Sequence, residues 1–141
     1  MTEHFNFASG TYYLGDLCYV MHKEWTEVCE IIIRGNDCID GVFELNDGRE
    51  FGLWNTAYAD GMYLDNIGRE YPVDAGLIGI IAVEDIDESE KDNLSLGNVI
   101  QFDNSFRVMC SNGLFEFGDV RIDTRDEPES DYDYSDECYN Y

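Results

Sequence analysis

Lysine and arginine are scarce in this chain: eight among 141 residues, against 31 aspartates and glutamates, for a formal charge of −23. The eight (Lys23, Arg34, Arg49, Arg69, Lys91, Arg107, Arg121 and Arg125) are scattered, mostly beside acids, and form no basic patch. Without such a patch the surface repels phosphate backbones and anionic lipid, so direct nucleic-acid and membrane binding are excluded as expectations. Histidine is scarcer still: His4 and His22 alone leave little for a zinc site or a general base. The five cysteines (Cys18, Cys29, Cys38, Cys110 and Cys138) are odd in number, irregularly spaced and without a CxxC pair. That pattern supports neither a disulfide framework nor structural zinc, and a reducing cytoplasm is the expected compartment. No apolar run approaches the ~20 residues that span a bilayer. The opening "MTEHFNFASG" has neither the basic region nor the apolar run of a signal peptide. A soluble, unexported protein that needs no cofactor is the expectation.

What is present is core-forming material. The apolar share is 44% and the aromatic share 14%, too rich for a disordered chain despite the charge. A chain of this length makes one domain that buries roughly two-thirds of its unfolded surface.

Strand signals dominate. "TYYLGDLCYVM", from Thr11 to Met21, is aromatic and β-branched around a Gly15-Asp16 break, and reads as two short strands or one bulged strand. In "HKEWTEVCEIII", Trp25, Val28, Cys29 and Ile32 fall on one helical face, with Glu24, Glu27 and Glu30 left to solvent. This predicts the only sizeable helix, near Glu24 to Ile33, ending before a Gly35-Asn36 turn. "GVFEL-NDG-REFGLW" and "GMYL-DNIG-REYPV" read as two similar hairpins, each turn followed by Arg-Glu and an aromatic residue. "GLIGIIAVEDI" is a nearly unbroken apolar strand, suited to a sheet centre, and "DESEKDNLSLGN" reads as a polar loop. A third hairpin is expected in "VIQF-DNS-FRVMC", and a Ser-Asn-Gly turn leads into "LFEFGDVRI". The predicted fold is mainly β: a curled antiparallel sheet or small barrel-like sandwich of about seven to nine short strands with one short helix. The β domain occupies residues 1–125, its strands starting near Thr11, and an acidic, tyrosine-rich tail occupies 126–141.

Two stretches, "YYLGDLCYV" and "ADGMYLDNIGREYPVDAGLIGIIAVEDI", resemble a group of small proteins from tailed-bacteriophage genomes. That group has a Gly-Asp-Pro-Cys-Tyr-Val type segment near its start and a Val-Asp-Ala-Gly-Leu-Ile-Gly segment before Pro-Val-Glu. Here Leu17 stands where the first proline is usual, and Ala82 stands where the second is. The resemblance covers about a quarter of the chain and leaves out the tail. It implies a viral source, hence a host cytoplasm, and no mechanism.

Three Asp-containing turns, at Asp16, Asp60 and Asp74, could gather carboxylates into a metal or acid-base site. Alternatively, each aspartate caps its own turn. Cys18 and His22 share a strand face but stand about 13 Å apart by strand rise, too far for a thiolate-imidazole pair. Asp85, Asp87, Glu88, Glu90 and Asp92 crowd into eight residues, but Glu90 takes the place where a calcium loop of the EF type needs glycine. A solvated acidic loop is the expectation there.

The tail "DEPESDYDYSDECYNY" carries Asp126, Glu127, Glu129, Asp131, Asp133, Asp136 and Glu137 and no base. If it is extended, Asp131 and Asp133 face one way and Tyr132 and Tyr134 the other, with like side chains about 6.7 Å apart. That spacing resembles successive phosphates on a stretched single strand; the plain alternative is a solvated, solubilising end. Both acidic segments are candidate partner-binding sites. The expected function is therefore an acidic, non-catalytic protein that mimics nucleic acid and inhibits a basic host protein, such as a restriction, repair, nucleoid or transcription factor. A virion or assembly accessory protein and a carboxylate-based metal-dependent enzyme are the alternatives.

Overall fold

The computed structural model describes residues 4–125. They form a sandwich-like, mainly antiparallel β fold in which no sheet closes into a barrel. The strands are β1 (His4–Phe7), β2 (Gly10–Gly15), β3 (Ile33–Arg34), β4 (Asp37–Cys38), β5 (Gly41–Glu44), β6 (Glu50–Asn55) and β7 (Gly61–Leu64). They continue with β8 (Glu70–Val73), β9 (Leu77–Ala82), β10 (Asn98–Phe102), β11 (Phe106–Ser111), β12 (Leu114–Phe117) and β13 (Val120–Asp123). One helix, α1 (Trp25–Ile32), lies between β2 and β3, as its periodicity predicts.

The five-stranded sheet, in the order β10-β2-β9-β6-β5, is the middle layer, with β9 at its centre. Its strands alternate between two cores. Tyr12, Leu14, Trp54, Ile78 and Ile80 face a core shared with the four-stranded sheet β1-β11-β12-β13 and the β7–β8 hairpin. Tyr13, Phe51, Leu53, Leu77 and Ile81 face a second core, shared with Val28 and Ile32 of α1. Burial on both faces explains why β9 reads as a continuous apolar run rather than an alternating one. Close packing at this centre also requires Gly79: a Cβ there would lie 2.2 Å from the Gly52 carbonyl oxygen.

The two predicted hairpins are present and built alike. In one, Leu45 N–H donates to Arg49 C=O and Gly48 N–H to Leu45 C=O; in the other, Asp65 N–H donates to Arg69 C=O and Gly68 N–H to Asp65 C=O. Each is a three-residue turn closed by a glycine in the left-handed region, Gly48 at φ 98° and Gly68 at φ 92°. Their destinations differ: β5–β6 joins the five-stranded sheet, whereas β7–β8 forms a ladder of its own.

Several sequence expectations need correction. The stretch after Gly15 is not a second strand: Asp16 caps a 3-10 turn over Leu17–Tyr19. The chain start is not idle, because His4–Phe7 pairs with β11. Residues Glu88–Leu96, read as loop, form a nine-residue 3-10 segment capped by Asp87. "VIQF-DNS-FRVMC" is not a hairpin: β10 pairs with β2, while β11 pairs with β1 and β12, so Asp103-Asn104-Ser105 carries the chain from one sheet to the other. "LFEFGDVRI" is two strands, β12 and β13, joined at Gly118-Asp119. At the corner between sheets the rings of Phe102 and Phe106 stack with centroids 3.7 Å apart, and Tyr12 meets both edge-on.

Candidate interaction surface

The buried carboxylates come first, because they cannot face a partner. Asp16 is fully buried at the end of β2. Its Oδ1 accepts the Cys18 N–H at 3.0 Å, and its Oδ2 accepts the N–H groups of Asp74 and Ala75, each at 2.7 Å. The segments around "YYLGDLCYV" and "VDAGLIGIIAV" thus meet here, joined by this carboxylate and by the β2–β9 ladder, where Gly15 faces Gly79. Asp74 turns its own carboxylate outward to accept the Tyr19 hydroxyl at 2.7 Å. Of the three candidate aspartates, Asp16 and Asp74 are therefore brought together through main chain, and Asp16 serves as a loop clamp. Asp60 lies in an exposed turn. Among the described residues, no group of three or more His, Cys, Asp or Glu side chains is arranged to hold a metal ion. The Cys18 thiol is pushed far above the ordinary range by burial first, then by the Asp16 charge and hydrogen bond, and by Asp74 and Asp60. It stays protonated, a poor nucleophile.

Asp65 and Glu90 repeat the same use of a buried acid. Asp65 accepts the N–H groups of Ile67 and Arg69, the Arg69 guanidinium at 2.7 Å and the buried Tyr71 hydroxyl at 2.7 Å. Burial opposes its ionisation, but the bonds from Arg69 and Tyr71 outweigh that, and its carboxyl sits below the usual range. Glu90 accepts the His22 N–H at 2.7 Å and the Lys23 N–H at 3.0 Å, pinning the 3-10 segment beneath the start of α1. This corrects the placement of Glu90 in a solvated partner-binding loop: it is 5% exposed. An acidic run gives no periodicity from which its burial could be read, and its donors lie some 67 residues away in sequence.

The other members of that loop remain at the surface to different degrees. Asp87 caps the segment through the Ser89 N–H and hydroxyl. Glu88 and Asp92 are exposed. Asp85 is half-buried, and its carboxyl is pushed up by burial and by Glu84, with Arg49 pulling the other way. Across the β5–β6 ladder Glu44 and Glu50 stand directly opposite, an arrangement that costs stability. The tail positions Asp126, Glu127, Glu129, Asp131, Tyr132, Asp133, Tyr134, Asp136 and Glu137 lie outside the described residues.

The bases are nearly all committed. Arg49 bridges Glu24 and Asp47, Arg69 holds Asp65, and Arg125 holds Asp123 at 2.7 Å, drawing that carboxyl down to about 2. Lys23, Lys91 and Arg121 pair more loosely with Asp87, Glu88 and Glu116. Arg34 donates to the carbonyls of Glu30 and Ile33 at the end of α1. Among the described residues only Arg107 has neither a carboxylate nor a carbonyl partner. Exposed acids, by contrast, occur throughout the sequence, from Glu30, Asp37 and Asp40 to Asp103 and Asp119. No helix among the described residues is long and apolar enough to cross a membrane. No protein-family model matches the chain, and neither a curated protein nor a solved structure is significantly similar to it.

Proposed function

We propose that this is a bacteriophage-encoded, non-catalytic binding protein whose carboxylate-dense surface imitates nucleic acid and occupies the basic groove of a host nucleic-acid-binding protein. One observation carries the reading: six of the eight bases are paired with carboxylates and cancel one charge each, so the many exposed acids that remain project a strongly negative field. A partner with a matching positive groove gains association rate from that field and loses access to phosphates while it is occupied. The strain at Asp85 and across Glu44 and Glu50 has the same sign, since an incoming cation relieves both.

The test is competition. Purified host nucleoid, repair and restriction proteins are loaded with labelled duplex DNA and titrated with this protein. At least one should release its DNA, with an affinity that falls steeply between ~0.05 and ~0.5 M salt, as the Debye length shrinks from roughly 14 to roughly 4 Å. A partner that binds this protein and DNA together at undiminished affinity, or whose binding ignores salt, would remove the mimicry reading.

A further inference from the structure

β10 is an outer strand: β2 pairs with one of its sides, and among the described residues no strand pairs with the other. The free side of an outer strand presents main-chain N–H and C=O groups in strand register, and folded proteins usually guard it with charge, proline or a bulge. β5, the outer strand at the opposite end of the sheet, is guarded in this way, with Asp40 before it and Glu44 at its end. β10 has neither charge nor proline, and the uncharged run extends from Asn93 to Phe102. β2 and β9 lie in uncharged runs of similar length, but both are interior strands. On β10 and just before it, Val99 is 46% and Leu96 40% exposed.

The space beside this edge is open and shaped. A groove of about 320 Å³ separates Ile100, Gln101 and Phe102 from the turn of the β7–β8 hairpin, where Ile67 is 69% exposed. It shares Gln101, Phe102 and Asp119 with a second groove of about 720 Å³ at the corner between the sheets. The β10 side of the grooves is uncharged and partly apolar, whereas the rest of the lining carries Asp103, Glu116 and Asp119 together with Arg69 and Arg107. Asp103 and Asp119 are exposed in the grooves, and Glu70 is exposed where its carbonyl accepts the Asn98 amide at 2.8 Å.

We propose that the free edge of β10 receives an extended, lysine- or arginine-bearing segment of the partner by strand addition. The segment's main chain pairs with β10, and its alternate side chains carry their charges to Asp103, Asp119 and Glu70. An uncharged centre with a charged rim is the ordinary anatomy of an interface. The occupant is cationic because the chain carries −23; a second copy, or an acidic segment, would bring like charge to a surface that already repels it. Arg107 in the larger groove and Arg69 in the smaller, the latter paired with Asp65, set the two positions where the segment's cation is unwelcome. This inference rests on the acidic-binding reading above and names where and how a flexible part of such a partner is held.

The test uses the full chain and a ten-residue peptide of alternating lysine and threonine. Two analogues are compared, one N-methylated on the lysine nitrogens and one on the threonine nitrogens, so that charge and side chains are kept while one set of main-chain donors is lost. The parent should bind at low salt and slow the exchange of outward-facing β10 amides by about tenfold or more. One analogue should bind at least about tenfold more weakly, the equivalent of one or two hydrogen bonds. Val99→Lys should weaken the parent peptide, and Val99→Thr should not. If both analogues match the parent and β10 exchange is unchanged, the attraction is diffuse: the strand-addition inference falls and the acidic-binding reading survives. If the parent does not bind even at low salt, both fall. If β10 amides are protected without peptide while the protein sediments as a dimer, the edge belongs to a second copy and the inference is overturned.

Discussion

The β5–β6 and β7–β8 hairpins share a three-residue turn, a glycine in the left-handed region and an arginine after it, yet they place their aspartates in opposite conditions. Asp47 stands on the outside of its turn, where its pairing with Arg49 is exposed to water. Asp65 starts its turn and points inward, beneath Arg69 and against Tyr71, with no side-chain exposure. The same contrast separates Asp16 and Glu90 from Asp92 and Glu88. An acid buried under several donors holds segments together, whereas an acid left in water contributes to the field and little to the fold. The outward field and the stability of the fold are therefore carried mainly by different carboxylates.

The sharpest way to break that contrast is Asp65→Ala. It leaves the Arg69 guanidinium, the Tyr71 hydroxyl and two N–H groups without their acceptor, and urea unfolding should show a loss of about 2–4 kcal/mol, because a buried hydroxyl and two main-chain donors lose a charged acceptor. Asp47→Ala, in the matching hairpin, should leave the unfolding midpoint nearly unchanged, because its ion pair is exposed to water. A comparable loss at both positions would mean that burial does not divide the acids.

Asp16→Ala comes next, at about 1.5–3 kcal/mol, because three main-chain donors then lose a charged acceptor. Hydrogen exchange should quicken at Asp74 and Ala75 as well as at Cys18, since the clamp joins two distant loops.

The contrast also has a pH signature. Asp65 ionises below its unfolded value of about 3.9, so its contribution is complete above that pH and is lost as pH falls through the lower folded value. Asp85 has the opposite sign: its folded carboxyl is raised, so stability declines as pH climbs from the unfolded to the folded value. Chemical unfolding measured from pH 3 to pH 7 should show Asp65→Asn flattening the acid limb, and Asp85→Asn removing a small loss toward neutrality. Either variant acting with the reversed sign would contradict the assigned environment.

The smallest effects belong to the exposed set. Asp92→Asn and Glu88→Gln should shift stability by no more than ~0.5 kcal/mol, while each removes one charge from the field. Removing residues 126–141 takes away seven of 31 acids and leaves a formal −16. Folding should survive, because that segment has no apolar run able to join a core. DNA release by the truncated protein should weaken modestly if the body is the main mimic. Its complete loss would assign the activity to the tail, and Tyr132→Ser with Tyr134→Ser at constant charge would then cost roughly 1–3 kcal/mol of binding.

The elements legible in the sequence are those whose cause is local. α1 follows from the spacing of Trp25, Val28 and Ile32, and the two hairpins follow from Asn46-Asp47-Gly48 and Ile67-Gly68. β9 was readable as a sheet centre because layers on both faces demand unbroken apolarity. Asp103-Asn104-Ser105 misled for the same reason that turns are readable: its residue types specify a reversal, but whether the flanking strands then pair depends on β1 and β2, about a hundred residues earlier. Glu90 was opaque for a similar reason, since its donors belong to the loop before α1. Of the candidate surface, the excess of acid was evident from composition, whereas the commitment of nearly every base, and the bare edge of β10, depend on which segments the fold makes neighbours.

The long reach of those ladders also governs how the chain can fold. His4 pairs with Met109 and Leu14 with Asn98, so closing these ladders requires loops of nearly the whole domain. The local hairpins can form in about 1–10 μs, but contacts this remote place the completed fold in the millisecond-to-second range typical of β sandwiches. During synthesis the aromatic segment Tyr12-Tyr13-Leu14 emerges long before β9 and β10 exist to cover it, which is when nascent chains stick to one another. A chain whose acids outnumber its bases almost fourfold repels its neighbours through that interval, so the charge that suits the finished surface also protects the molecule while β2 waits for β9 and β10.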